Sequence, residues 1–295
     1  MRRTALSLMA LLALLVGTAA PAGAITGNYV EDFDHPYVGL VTFYDETGEF
    51  SHRCSGSLLT ETVFLTAGHC TDGATTARVY FTQDAGANYD PETQVDPVSG
   101  YPETCAEGTV GVTCATSDQL YNYGFDDFAT FPDTHDVGLV ILDQPILLPE
   151  YGSLAAVGSL DGLDTRRGLQ NLTFTASGYG LTKSSPVAVE SYRERLMAEA
   201  RLTNLNSANN GGFNLQTNGN GNGKGGTCSG DSGGPVFYGG YSSDTIVAVT
   251  SFGLNSYCRG VDFAYRTDTA AVQEWIFATV AASGTTYTDI TVVAV

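Results

Sequence analysis

Val38-Gly39-Leu40-Val41-Thr42-Phe43-Tyr44 is short, β-branched and aromatic, and is closed on its far side by the turn-forming Asp45-Glu46-Thr47-Gly48. A helix would need apolar residues at spacings of three and four, whereas this run is apolar almost throughout and too short, so it reads as a buried strand. The same signature returns at Gly56-Ser57-Leu58-Leu59, Val63-Phe64-Leu65-Thr66-Ala67, Arg78-Val79-Tyr80-Phe81 and Val137 to Leu142. A second group follows at Leu172 to Gly178, Pro235 to Tyr238 and Thr245 to Phe252. Pro145 to Leu163 separates the groups with Pro, Gly and small residues, the composition of a surface connector. The expectation is an all-β chain of two β units, with the boundary in that connector.

Two other segments complete the organisation. Asn204 to Gly226 is rich in Asn and Gly, which tolerate positive φ but supply no core, and is expected to be a loop. Thr267 to Ala282 carries Ala271, Val272, Trp275, Ile276 and Val280 at helical spacing, which predicts a helix over about 267–282 with Trp275 as a core anchor.

Composition narrows the function. Of 295 residues, 43% are apolar and 15% charged, with 13 Lys+Arg against 32 Asp+Glu and a formal net charge of −19. Such a surface repels phosphate, which argues against a nucleic-acid partner and an anionic membrane surface. Met1-Arg2-Arg3, an apolar run from Ala5 to Val16, and Ala22-Gly23-Ala24 have the layout of a signal peptide over residues 1–24. The apolar run is shorter than the ~20 residues that span a bilayer. Removing Arg2 and Arg3 leaves 11 basic residues against 32 acidic ones, a formal charge of −21. Cys54, Cys70, Cys105, Cys114, Cys228 and Cys258 form three sequence-local pairs without a CxxC spacing, so disulfides in an oxidising compartment are expected rather than a metal site. No cofactor is implied.

Three segments could carry chemistry together: Thr66-Ala67-Gly68-His69-Cys70, His135-Asp136-Val137-Gly138-Leu139-Val140 and Gly230-Asp231-Ser232-Gly233-Gly234-Pro235. A serine hydroxyl is a weak nucleophile at neutral pH. It needs an imidazole to take its proton, and the imidazole needs a carboxylate to fix its tautomer. His69, Asp136 and Ser232 can fill those roles, although singly each has a plain structural reading as a core histidine, a strand start and a turn. His35, His52 and His135 lack the flanking motif, and no apolar strand follows Asp133 directly.

From Ile25 to about Ala282 the chain resembles the chymotrypsin/trypsin family of serine endopeptidases. TAGHC and GDSGGP match the family's histidine and serine motifs, and Asp136-Val137-Gly138-Leu139 matches its looser aspartate motif. Ser177-Gly178-Tyr179-Gly180 is similar to S-G-W-G, and Ser251-Phe252-Gly253 to the S-W-G substrate-binding strand, each with one aromatic exchanged for Trp. The resemblance implies two antiparallel six-stranded β-barrels, residues 25–150 and 151–295, with the active site between them and a C-terminal helix. It implies a secreted, monomeric endopeptidase acting on polypeptide substrates and met by protein protease inhibitors, with no metal. It gives Gly230 and Ser232 as oxyanion-hole donors and Ser251, Phe252 and Gly253 as substrate-binding residues. It also pairs Cys54 with Cys70 and Cys228 with Cys258; Cys105 and Cys114, in an insertion between His69 and Asp136, are paired by spacing alone.

Specificity is left open by the sequence. The position matching the family's pocket floor is Gly226, which suits an aromatic or aliphatic side chain; Asp262, near the expected far wall, would supply a charge, and Phe263 would shorten the pocket. Asn171-Leu172-Thr173 is a glycosylation sequon. Cleavage after Ala24 would free Ile25, whose ammonium the resemblance pairs with Asp231, so that signal peptidase would be the activating enzyme and no separate propeptide would exist. An α/β-hydrolase elbow also fits G-x-S-x-G, but that fold places His after Ser, and all four His here precede Ser232. The remaining alternative is a secreted binding or adhesion protein on an inactive protease scaffold.

Overall fold

A computed structural model describes residues 25–85, 89–90, 92–102, 105, 114–163, 172–190, 193–220, 224–286 and 288–295. The signal-peptide expectation and Asn171 of the sequon lie outside these residues. The chain is mostly β, in two barrel-like sheets.

The first sheet runs Cys114–Ser117, Thr76–Tyr80, Val38–Tyr44, Phe50–Leu58, Val63–Thr66, Gly138–Ile141 and Gln119–Asn122, all antiparallel. It has seven strands rather than six. The two at its ends are separated only by Asp118, so a single bent stretch takes both edges. Val38–Tyr44 is buried at every position, as its unbroken apolar run requires.

The second sheet closes. Pro235–Tyr238, Thr173–Gly178, Leu196–Asn204, Asn214–Asn218, Val261–Arg266 and Thr245–Gly253 pair in turn, and the last returns to the first. Six strands therefore leave no open edge. Within the stretch expected to be a loop, Asn214–Asn218 is a barrel strand and Gly225–Gly226 pairs with Thr26–Gly27. Leu215 is fully buried there and Asn214 Nδ2 donates to the carbonyl of Pro132 at 2.8 Å, so one buried apolar side chain and pairing to both neighbouring strands outweigh the loop-like composition. The connector likewise holds a short strand, Ser153–Ala155, parallel to Thr245–Ile246.

The helix spans Ala270–Ala282, with the Thr269 side chain accepting from the Val272 amide at its start. Val272, Ile276 and Val280 face the core, whereas Ala271 is exposed. Trp275 is half-buried against Tyr123, ring centroids 5.2 Å apart, so the helix binds the second barrel to the first. One apolar cluster joins Leu40, Phe64 and Val140 of the first sheet to Phe237, Ile246 and Ile276. No helix among the described residues is long and apolar enough to cross a membrane.

Candidate active site

The first sheet sets two of the site residues. Val63–Thr66 and Gly138–Ile141 pair with Thr66 opposite Gly138, so the turn after one strand lies beside the approach to the other. The chain leaves Thr66 into the short helix Gly68–Thr71 and presents His69 next to Asp136. A Cβ on residue 138 would sit 2.6 Å from the Ala67 carbonyl oxygen, so only glycine lets the two segments approach this closely.

Asp136 is fully buried and receives three donors. The His69 backbone amide reaches Oδ1 at 2.7 Å, His69 Nδ1 lies 2.9 Å from Oδ2, and the Ser251 hydroxyl donates to Oδ2. Burial disfavours the imidazolium, but the Asp136 charge and its hydrogen bond outweigh burial and raise the His69 pKa above 6.5. The disulfide Cys54–Cys70 holds the histidine turn to strand Phe50–Leu58.

Ser232 reaches the same place from the second barrel. Its carbonyl accepts the Ser55 amide at 2.8 Å, and the Ser55 hydroxyl donates to the Gly230 carbonyl at 2.8 Å while accepting the Tyr179 amide at 2.9 Å. A Cβ on Gly233 would lie 2.6 Å from the Ala67 nitrogen, which shows how tightly the serine turn abuts the histidine turn. The hydroxyl of Ser232 makes no hydrogen bond to His69 among the described residues; in the absence of substrate such contacts are commonly open. Gly230 has φ +98°, and neither its amide nor that of Ser232 donates to any acceptor among the described residues.

Asp231 turns away from the cleft. It is fully buried, with Oδ1 taking the Gly180 amide at 2.8 Å and Oδ2 the Cys228 amide at 2.9 Å. Burial pushes its carboxyl up to about 7, against the lowering effect of those amides and of the Arg53 charge. Ile25 carries an amide nitrogen in this chain; its side chain is fully buried in the second-barrel cluster, and Thr26 pairs with Gly226.

A cavity of about 390 Å³ opens beside Ser232, lined by Ser251, Phe252, Gly253 and Asp262 and by both cysteines of the Cys228–Cys258 disulfide. Gly226 lies behind this cavity rather than on its wall: a Cβ there would meet Asp262 Oδ2 at 2.7 Å. Asp262 also accepts the Thr227 amide at 3.0 Å, and burial raises its carboxyl to about 6. Phe263, on the opposite face of that strand, stacks on Phe252 at 4.5 Å and does not line the cavity. Phe125 stands 5.8 Å from the His69 ring, and Phe128 and Phe131 pack edge-on against Phe252.

The other candidates have structural partners. His35 is buried on Asp32 at 2.7 Å, His52 Nε2 lies 2.8 Å from the Cys70 carbonyl, and Asp133 accepts from the Tyr265 hydroxyl. Cys105 and Cys114 are bonded to each other. Sequence reasoning missed the Ser251 contact to Asp136, 115 residues away, and the bridging role of Ser55. Ser251 is marked by its Ser-Phe-Gly motif, though not for this contact, and nothing local marks Ser55.

The Trypsin family model matches residues 25–276. The chain belongs to the trypsin family. Relatives within or near that family include CLIP domain-containing serine protease B10 of Anopheles gambiae, 26% identical over 72% of this chain and 58% of that protein. Serine protease 7 of Drosophila melanogaster is 27% identical over 86% of this chain and 64% of its own length. The chain thus spans about 60% of the length of these two relatives. Brachyurin of Leptuca pugilator is 27% identical over 70% of this chain and 78% of its own length. Among solved structures, HL collagenase aligns with a TM-score of 0.60 at 18% identity, over 89% of this chain and all of that one. Scabies mite inactivated protease paralogue S-D1 aligns with a TM-score of 0.58 at 16% identity, over 88% and 97%. These likenesses show the chymotrypsin-like fold.

Proposed function

We propose that the mature protein is a secreted serine endopeptidase that works through an acyl-enzyme. The observation that carries this reading is the triply donated, buried Asp136 holding His69 Nδ1, with Nε2 left for Ser232. Neutral His69 takes the Ser232 proton as the hydroxyl oxygen attacks the scissile carbonyl, and the Gly230 and Ser232 amides receive the developing oxyanion. The imidazolium, stabilised by Asp136, then protonates the leaving amine. Water deacylates the enzyme by the same path in reverse.

The same reading includes specificity. Asp262 places a carboxylate on the cavity wall beside Ser232, which favours Lys or Arg on the acyl side of the cleaved bond over the apolar residue that Gly226 suggests. Arg259, which is solvent-exposed, lines the same cavity. The three disulfides fit an extracellular setting.

The test is labelling by a fluorophosphonate together with hydrolysis of a peptidyl-arginine anilide. The wild-type protein is expected to label and turn over, and Ser232→Ala to do neither. Undiminished hydrolysis by Ser232→Ala would remove Ser232 as the nucleophile, and an unlabelled, inactive wild type would favour the inactive-scaffold reading.

A further inference from the structure

A second cleft, of about 560 Å³, opens on the other flank of Gly230. Its walls include His52, Arg53, Tyr101, Arg193, Ser229 and Gly230, and its described lining holds two guanidinium groups and no carboxylate. In a chain whose mature form carries only 11 basic residues against 32 acidic ones, that convergence is a strong local reversal of charge. Arg53 and Arg193 are both half-buried.

The arginines are ordered by the insertion between His69 and Asp136. Asp96 accepts the Val98 and Ser99 amides, and the Asp96 amide donates to the Tyr101 carbonyl, which makes a tight turn and delivers the buried Tyr101 ring to the cleft. The Arg193 guanidinium lies 4.6 Å from the Tyr101 centroid and that of Arg53 5.8 Å from it, and Arg53 also donates to the Tyr101 hydroxyl. A ring that already orients both planar groups reduces the rotamer freedom lost when an anion binds. Asp84 is the carboxylate whose charge Arg193 offsets, and it lies outside the lining.

Position assigns the ligand. The cavity holding Asp262 receives the acyl-side chain, and the Gly230 amide marks the scissile carbonyl. Ser229 borders both cavities, so the basic cleft lies on the far side of the scissile bond. We infer that this cleft is a subsite for an acidic side chain among the first residues after the cleaved bond. The inference rests on the endopeptidase reading, and it makes the best substrate dipolar: basic before the bond, acidic after it.

The experiment compares internally quenched peptides identical up to the cleaved bond and carrying Asp-Glu, Asn-Gln or Lys-Lys immediately after it, beside the anilide that has no residue there. Wild-type kcat/KM is expected to favour Asp-Glu over Asn-Gln by about 5- to 10-fold, the range for two partly exposed ion pairs. Salt at 1 M, where the screening length is about 3 Å, should bring that ratio toward one. Arg193→Glu should invert the order so that Lys-Lys exceeds Asp-Glu, and Arg193→Gln should lie between. A ratio near one in the wild type with the anilide still cleaved would overturn the subsite and leave the peptidase reading standing. A preference unchanged by Arg193→Glu, or by salt where that variant fails to fold, would overturn it equally. A protein that neither cleaves the anilide nor labels with fluorophosphonate would remove the peptidase reading itself.

Discussion

Ser251 donates its hydroxyl proton to Oδ2 of Asp136, the same oxygen that lies 2.9 Å from His69 Nδ1. A strand of the second barrel thereby helps hold a carboxylate of the first, and both barrels contribute to one charged pair. Ser251→Ala removes a hydrogen bond to a buried charge, worth about 1.5–3 kcal/mol. The expected result is a lower Tm from the less well satisfied buried carboxylate, together with a lower kcat as Asp136 and His69 lose their fixed geometry. Because the remaining Asp136 charge is less dispersed, the imidazolium should be stabilised further and the acid limb of the pH profile should move up. A Ser251→Ala profile that overlays the wild type would show that the contact is dispensable.

The pH dependence of kcat/KM follows from His69. Catalysis requires the neutral imidazole, and Asp136 raises the His69 pKa above 6.5, so activity should fall as pH drops through a value above 6.5. Asp136→Asn leaves burial unopposed, and burial lowers the pKa. The acid limb should then shift below 6.5 while kcat falls by about 10⁴-fold through loss of the correct tautomer. Steady-state profiles of the two proteins between pH 5 and 9 test both signs.

Asp262 should be visible as a ratio. Its carboxyl titrates at about 6, so it is neutral below and charged above that value. The preference for an arginyl over a leucyl anilide should therefore grow as pH rises from 5 to 7.5, and His69, common to both substrates, cancels from the ratio. Asp262→Asn should flatten the curve and abolish most of the arginine preference. A steep, pH-independent preference for the leucyl substrate would instead assign the pocket to apolar side chains.

What the sequence made legible was whatever could be read locally. Val38–Tyr44 and Val63–Thr66 announce themselves because both faces are buried and every position is apolar or small. The histidine, aspartate and serine turns carry their own short motifs. Leu196–Asn204 was harder, because Leu, Met, Ala, Glu and Arg are good helix formers and become a strand only between Thr173–Gly178 and Asn214–Asn218. Asn214–Asn218 has the composition of a loop and becomes a strand only by pairing with Leu196–Asn204 and Val261–Arg266. The composition of the substrate cavity was ambiguous because a one-residue shift in register exchanges Asp262 and Phe263 between wall and core. Arg53, Arg193 and Tyr101 converge from three separated segments, so no local pattern identifies their cleft.

In the full chain Asp231 is sealed among backbone amides with its carboxyl at about 7, well above the value of an exposed carboxylate, so at neutral pH the fold holds a costly buried charge. A group whose folded pKa is raised contributes stability below its unfolded pKa and loses it as pH rises through the folded one. A protein that retains Gly23-Ala24 should therefore lose Tm as pH rises from about 4 through about 7. Cleavage after Ala24 would give Ile25 an ammonium on a residue whose side chain is already buried in the second barrel, and the family resemblance expects that ammonium to pair with Asp231. The paired carboxyl stays charged at lower pH, so the form beginning at Ile25 should keep its Tm over that range. Asp231 neighbours Ser232, and its amide ties the turn to the Cys228 carbonyl, so disorder in an uncompensated carboxylate reaches the Gly230 and Ser232 amides directly. The extended form is accordingly expected to lose most of its kcat while still folding. Equal activity and parallel Tm curves in the two forms would mean that the Gly180 and Cys228 amides, with the Arg53 charge nearby, satisfy Asp231 without the terminus.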